Sequence, residues 1–186
     1  MVNGSGGDQS SRGNKRIVGD TFGDDFLNPA SHKREVLFVK PDFFAVVDTL
    51  KSSDGKPHDY TMLLQLDTLK VHSAPGVVHG VLKGRYDLYA LVLSKNVDIN
   101  VESAQTQPVV AGWHAEMKQR KLHPASSVKI TARQQKNYRF TTLLFPLKKG
   151  DVPPTARELS GNMWEVKFNG RTYKLNLQDL KSNLKM

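Results

Sequence analysis

Cysteine is absent from the 186-residue chain, and so is any long apolar run. Without cysteine the chain can form no disulfide, no thiolate metal site and no cysteine nucleophile. No apolar stretch approaches the roughly 20 residues that a membrane-spanning helix needs. The first residues show no charged segment followed by an apolar one, so no signal peptide is visible. The chain is nevertheless 38% hydrophobic, which is enough for one globular core.

Common catalytic motifs are missing as well. The sequence contains no GxSxG, Walker or HExxH pattern and no paired-carboxylate signature. Its six histidines are spread over positions 32 to 123 without the spacing of a metal site. The residues alone therefore predict neither a catalytic set nor a cofactor.

Positive charge is present in excess and is unevenly distributed. The chain has a formal net charge of +9, and residues 113–149 hold nine basic side chains against one acidic side chain, Glu116. Such a stretch attracts anions such as nucleic acid, acidic lipid or acidic polysaccharide. A solvated surface kept soluble by its charge is an equally good interpretation.

The pattern of the chain predicts an all-β protein. Residues 1–31 are rich in glycine and polar residues and predict a loosely structured segment, and residues 32–186 predict one domain. Short β-rich segments separated by turn residues predict an antiparallel β-sandwich of about ten or more strands. These segments are Glu35–Lys40, Phe43–Leu50, Tyr60–Leu66, Gly76–Lys83, Tyr86–Ser94, Val97–Ser103, Val109–His114, Ser127–Arg133 and Asn137–Phe145.

The last part of the chain gives the clearest local prediction. Apolar residues alternate with polar ones on both sides of Asn169-Gly170, which tolerates the positive φ of a type I′ turn. Residues 163–177 are therefore predicted to form a hairpin. The tail, residues 177–186, has leucines at helical spacing and predicts a short helical segment.

One strand of the basic stretch has charges on a single face. In Ser127–Arg133, Lys129 and Arg133 are predicted to lie opposite Val128 and Ile130. Cations spaced along one strand face suit the sulfate or carboxylate groups of a polymer. They suit a plain solvated face equally well.

Three segments together resemble the C-terminal β-sandwich of heparinase II/III-like polysaccharide lyases. The first is HKREVLFVKPDFFAVVD at residues 32–48, the second is Gly112-Trp113, and the third is RFTTLLFP at residues 139–146. They occur in the order found in that family. The resemblance spans residues 32–150.

The resemblance implies a lyase that cleaves uronic-acid polysaccharides by β-elimination. It implies an N-terminal α/α toroid that carries most of the reacting groups, and a catalytic histidine just before the segment similar to Val2-Asn3-Gly4. We expect the 186 residues alone to be catalytically silent. We expect the parent protein to be a bacterial periplasmic or secreted lyase.

A structural metal of the family is in doubt here. Family members often carry a histidine in the strand that holds Gln65, and an amide is a poor Zn²⁺ ligand beside imidazole. The sequence therefore predicts no metal cofactor.

Two other functions compete with a lyase domain that lines a substrate cleft. A non-catalytic carbohydrate-binding module for acidic polysaccharides would use an exposed aromatic platform, for which Trp113 is the candidate because Trp164 is in phase with core residues. Nucleic-acid binding is disfavoured, because the basic stretch lacks interleaved aromatics. For contact with an acidic polysaccharide, charge and placement favour Trp113, His114, Lys129, Arg133 and Arg139.

Overall fold

A computed structural model describes residues 15–21, 30–116, 121–160 and 162–185, and for residues 15–21 and 185 it gives the backbone alone. In chain order the elements are β1 (Lys15–Thr21), β2 (Ala30–Val39), β3 (Phe43–Ser52), β4 (His58–Leu66), β5 (Val71–Ala74), β6 (Val77–Gly80), β7 (Tyr86–Val92), β8 (Asp98–Ser103), β9 (Trp113–Glu116), β10 (Lys121–Pro124), β11 (Ser126–Gln135), β12 (Asn137–Lys148), β13 (Thr155–Glu158), β14 (Met163–Phe168), β15 (Arg171–Asn176) and a 3₁₀-helix, Leu180–Lys185.

The strands form one large sheet and three small ones. The large sheet has seven strands in the order β1-β2-β3-β12-β7-β6-β5. Two three-stranded sheets have the orders β4-β11-β8 and β13-β14-β15, and β9 pairs with β10 in a ribbon. Every pairing of these strands is antiparallel. The predicted all-β antiparallel fold is confirmed.

The central sheet buries both of its faces. On one face Leu143 and Phe145 of β12 pack with Val166 and Phe168 of β14 in a first core. On the other face Phe140 joins the side chains of the β4-β11-β8 sheet in a second core. The molecule therefore has three layers, where the sequence suggested two. The reason is the composition of the central strands, whose near-continuous apolar runs are typical of strands buried on both sides.

The hairpin predicted at residues 163–177 is present, and the segments predicted at Glu35–Lys40 and Phe43–Leu50 form another. Val39 pairs with Phe43 across the turn between β2 and β3. In the β14–β15 hairpin Phe168 pairs with Arg171, and Asn169 and Gly170 have φ values of 49° and 71°. Positive φ at both central positions is the geometry of a type I′ turn, as the Asn-Gly pair predicts.

Several short elements differ from the prediction. β1 lies in the segment predicted to be loosely structured and pairs with β2, whereas residues 1–14 and 22–29 of that segment lie outside the described residues. β5, β10 and β13 were not predicted, and β9 begins at Trp113, near the end of the predicted segment Val109–His114, and extends to Glu116. The strands β5, β9, β10 and β13 have four residues each, which is too few for alternation to stand out, and β1 has seven. The helical tail is a 3₁₀-helix.

In the part of the chain that the structure describes, no helix has the length and apolarity to cross a membrane.

Candidate functional site

Lys129 and Arg133 lie on the outer face of β11, as their alternation predicts. Lys129 Nζ is 2.7 Å from Glu102 Oε2 of β8. Arg133 Nε donates to Asp98 Oδ2 at 2.9 Å, and its Nη1 is 3.5 Å from Asp59 Oδ2. The hydrogen bond with Asp98 raises the pKa of Arg133 above its usual value. Carboxylates of the two neighbouring strands thus compensate both cations.

The basic stretch of the sequence is therefore not a surface of one sign. Lys129 and Arg133 pair with acids from outside residues 113–149, and Lys149 Nζ lies 3.8 Å from Asp87 Oδ1. Lys118 and Arg120, counted in the stretch, lie outside the described residues. The charge excess along the chain does not translate into an equal excess at one place in the fold.

Trp113 and His114 lie together in the β9–β10 ribbon. The half-buried Trp113 donates its indole Nε1–H to the Gln105 carbonyl at 3.0 Å. The exposed His114 ring lies 4.8 Å from the ring of His123, whose Nε2 is 2.6 Å from Asp67 Oδ1. This hydrogen bond lowers the pKa of Asp67. The indole is thus tied to the backbone rather than presented as a free platform.

Gln65 is engaged in hydrogen bonds beneath the ribbon. Ser127 Oγ donates to Gln65 Oε1 at 2.8 Å and accepts the backbone N–H of Gly112 at 3.0 Å. An amide and a hydroxyl do not make the nitrogen and carboxylate ligand set that Zn²⁺ prefers. Among the residues that the structure describes, no three His, Asp or Glu side chains are grouped to hold a metal ion. The residues at this place do not fit the metal site that the resemblance implies.

Arg139 lies on the opposite face of the central sheet from β11. Its Nη2 donates to the Leu177 carbonyl at 2.8 Å and the Gln178 carbonyl at 3.1 Å, and its Nη1 donates to Thr49 Oγ1 at 3.2 Å. Its Nε is buried without a hydrogen-bond partner. Burial lowers the pKa of Arg139, against the opposing charge of Glu35. Within the described ranges no carboxylate forms an ion pair with this guanidinium.

The five residues expected to contact a polysaccharide therefore lie in three places. Trp113 and His114 share the ribbon, Lys129 and Arg133 share the outer face of β11, and Arg139 lies across the central sheet from them. The structure does not bring them into one site. Their role in substrate binding stays a prediction.

The sequence did not predict the surroundings of Asp48, which is 2% exposed at the end of the segment that carries the resemblance. Arg34 Nε and Nη2 donate to its two carboxylate oxygens at 2.6 and 2.9 Å, and His32 Nε2 lies 2.8 Å from Oδ1. One sequence feature could have indicated this cluster. His32 and Arg34, at alternate positions of one strand, precede an apolar segment that ends at Asp48.

Trp164 was assigned to the core from its phase, and the structure gives it two roles. It is half-buried and packs against the first core, as predicted. Its remaining surface lines a groove that also contains Arg139 and Tyr138. Phase along a strand could predict the first contact but not the groove, because the groove forms between two sheets.

The comparisons with known proteins agree with the resemblance in fold. No protein-family model matches the chain, and no curated protein sequence matches it significantly. Among solved structures, a heparinase III superposes with a TM-score of 0.66 at 16% identity, and a heparan sulfate lyase from Pedobacter heparinus with 0.70 at 13% identity. Each alignment covers 94% of this chain and 27% of the other chain. The chain thus has the fold of about a quarter of these lyases.

Proposed function

We propose that this chain is a domain of a polysaccharide lyase that acts on uronic-acid polysaccharides, and that it forms one wall of the substrate cleft. The observation that carries the proposal is the superposition on lyases over 94% of the chain. The net charge of +9 supports an anionic substrate. In the proposed parent protein, which we place in the periplasm or outside a bacterial cell, an α/α toroid supplies most of the reacting groups.

The groups described here suit contact with substrate better than proton transfer. β-Elimination needs a base for the proton next to the uronate carboxyl and an acid for the leaving oxygen. Of the described histidines with a nearby carboxylate, His32 lies beside Asp48 in the central sheet and His123 lies beside Asp67 in the β9–β10 ribbon. Arg139 donates hydrogen bonds to neutral oxygens and to no carboxylate of the described part of the chain, which suits a uronate carboxylate.

The test compares two proteins on heparan sulfate. One is the 186-residue chain, and the other is the longer protein proposed here, with the toroid preceding this chain. We expect the longer protein to form unsaturated uronates, seen as a rise in ultraviolet absorbance, and the chain alone to form none. Cleavage by the chain alone would contradict the assignment of the reacting groups to the toroid.

The second candidate is a carbohydrate-binding module without a lyase partner. One observation favours it: the groove lined by Trp164 and Arg139 lies wholly within this chain. If the longer protein cleaves no uronate polymer while the 186-residue chain binds one, a carbohydrate-binding module is the better-supported function.

A further inference from the structure

A groove runs along the seam between the central sheet and the β13-β14-β15 sheet. We call it the seam groove, and its volume is about 340 Å³, within the range of small-ligand sites. Its walls include Tyr138 and Trp164, its cations are Lys95 and Arg139, and Glu158 lies at its edge. These residues come from β12, β14, β13 and the loop after β7, so the groove exists only in the folded chain.

The two aromatic side chains of the seam groove are held in place. Trp164 packs against the first core. Tyr138 donates its hydroxyl to the Lys95 carbonyl, and its ring meets the ring of Phe140 edge to face at a centroid distance of 4.7 Å. Aromatic walls fixed by packing give a ligand contact area at little cost in conformational entropy.

Amide side chains supply donors and acceptors at the rim. Asn96 and Asn162 line the groove at φ values of 56° and 65°, and Gln178 lines it beside them. Each amide offers two N–H donors and a carbonyl acceptor, which matches the paired donor and acceptor character of sugar hydroxyls. Walls of tryptophan and tyrosine with an amide rim suit a saccharide better than a simple inorganic anion.

The charge of the groove favours an acidic saccharide. Lys95 Nζ is 2.9 Å from Glu158 Oε2, so this pair is compensated. Among the residues that the structure describes, the hydrogen-bond acceptors of Arg139 are neutral: two backbone carbonyls and the hydroxyl of Thr49. Both Nη2 hydrogens and one Nη1 hydrogen are used, and Nε is buried, so the second N–H of Nη1 is the one left for a carboxylate, to which a guanidinium donates a strong charge-assisted hydrogen bond.

Arg139 also borders a second groove of about 420 Å³. This groove shares Arg139 and Gln178 with the seam groove and adds Lys33 and Lys51. Lys33 Nζ lies 3.4 Å from Glu35 Oε2, whereas Lys51 makes no ion pair with any residue that the structure describes. The two grooves thus share the Arg139 cation, and Glu35 lines the second groove together with the two lysines.

We propose that the seam groove and the groove beside it bind a short acidic oligosaccharide, with a uronate carboxylate at Arg139 and a sugar ring against Trp164. This rests on the proposed function, which it deepens by naming the surface that meets the polymer. The surface differs from the outer face of β11, where Lys129 and Arg133 already have carboxylate partners.

Calorimetric titration of the whole chain in low salt tests the proposal. The probes are a heparan sulfate tetrasaccharide, an unsulfated oligogalacturonate and the uncharged maltotetraose. We expect both acidic probes to bind and the uncharged one to bind at least about tenfold more weakly. Binding of the sulfated probe alone would overturn the placement of a carboxylate at Arg139.

The variants are chosen so that folding is preserved. Lys95→Gln removes an exposed charge, and Asn162→Gly removes an amide while keeping the positive φ that glycine accepts. Lys174→Gln is the matched control, because it removes the same charge from the outer face of β15, away from the grooves. We expect each groove variant to weaken binding about threefold to tenfold and the control to change it less than about twofold.

Arg139→Lys provides a second measurement, because it keeps the charge and loses the planar fork. We expect about a tenfold loss of affinity in a chain whose thermal unfolding shows that it is folded. Equal losses in Lys95→Gln and Lys174→Gln, or binding of maltotetraose as tight as that of the acidic probes, would overturn the proposal. So would failure of every probe to bind. Because these measurements follow binding and not cleavage, a parent protein without lyase activity would leave the groove assignment standing.

Discussion

Arg171 Nη1 donates to Asp42 Oδ2 at 2.7 Å, although the two residues are 129 positions apart. Asp42 lies in the turn between β2 and β3, and Arg171 begins β15. Asn169 Nδ2 donates to the other carboxylate oxygen at 3.1 Å, and Tyr173 donates its hydroxyl to Asp42 as well. A buried carboxylate with three donors thus joins the central sheet to the sheet that covers it.

Asp42→Ala should destabilise the chain markedly. The substitution leaves the half-buried Tyr173 hydroxyl and the exposed Arg171 guanidinium without their charged acceptor, and hydrogen bonds to a charged group contribute about 1.5–3 kcal/mol. We expect the free energy of unfolding in urea to fall by about 3 kcal/mol. Asp151→Ala, at an exposed loop position, should change it by less than about 0.5 kcal/mol. Equal effects of the two substitutions would mean that the cluster does not hold the layers together.

Acid should remove the contribution of Asp42. Burial by itself raises the pKa of this carboxyl, but hydrogen bonds from Tyr173, Asn169 and Arg171 outweigh burial and hold the pKa below its usual value. Below its unfolded pKa, about 3.9, the unfolded chain takes up the proton first, so the stabilisation is complete at neutral pH and falls as pH drops through the folded pKa.

The measurement is the difference in free energy of unfolding between the natural chain and Asp42→Asn from pH 7 to pH 2. Other carboxylates with lowered pKa, such as Asp59, Asp67 and Glu165, contribute to both proteins and cancel in the difference. We expect the difference to shrink below about pH 4. A difference that stays constant over this range would show that the charge of Asp42 is not the stabilising feature.

Gly112→Ala should cost far more stability than Gly55→Ala. Both glycines have positive φ, 71° and 73°, so alanine is strained at either position. A Cβ at Gly112 would lie 2.5 Å from the Glu102 carbonyl oxygen, whereas one at Gly55 would meet nothing within 4 Å. We expect the Gly112 variant to lose at least about 2 kcal/mol more in urea unfolding. Similar losses would show that the loop can move away from the added methyl group.

Zinc should not stabilise the chain. Gln65 stands where a histidine ligand is expected from the resemblance, and its carbonyl oxygen already accepts a hydrogen bond from Ser127. A metal that binds the folded state raises its melting temperature. After treatment with a chelator, added Zn²⁺ should therefore shift the midpoint of thermal unfolding by less than about 1 °C. A rise of several degrees would reveal a metal site that uses other residues.

Local sequence patterns were enough to predict the β14–β15 hairpin and the alternation of buried and exposed side chains in β11. The Asn169-Gly170 turn needs only its own two residues, and the inward positions of Val128 and Ile130 follow from the period of the strand. The partners of Lys129 and Arg133 could not be predicted in this way. Glu102 and Asp98 reach them only because β8 lies beside β11, a pairing set by the whole fold.

The candidate site illustrates the same limit. Arg139 was favoured for its charge, and the structure adds that its partners are neutral acceptors contributed by Leu177, Gln178 and Thr49. Tyr138 and Trp164 were assigned to strands, but the groove that both of them line depends on how two sheets pack. The hydrophobic period of a strand indicates which of its sides is buried, but it does not indicate where two packed sheets leave a groove.

Packing on both faces of the central sheet has a consequence for how the sequence of such a domain can diverge in evolution. Outer layers cover the central strands of that sheet on both sides, so its exposed surface lies at the margins where those layers end. Substitutions there can alter the surface while the interior stays as it is. Proteins with this architecture can therefore change what they bind at little risk to their folding.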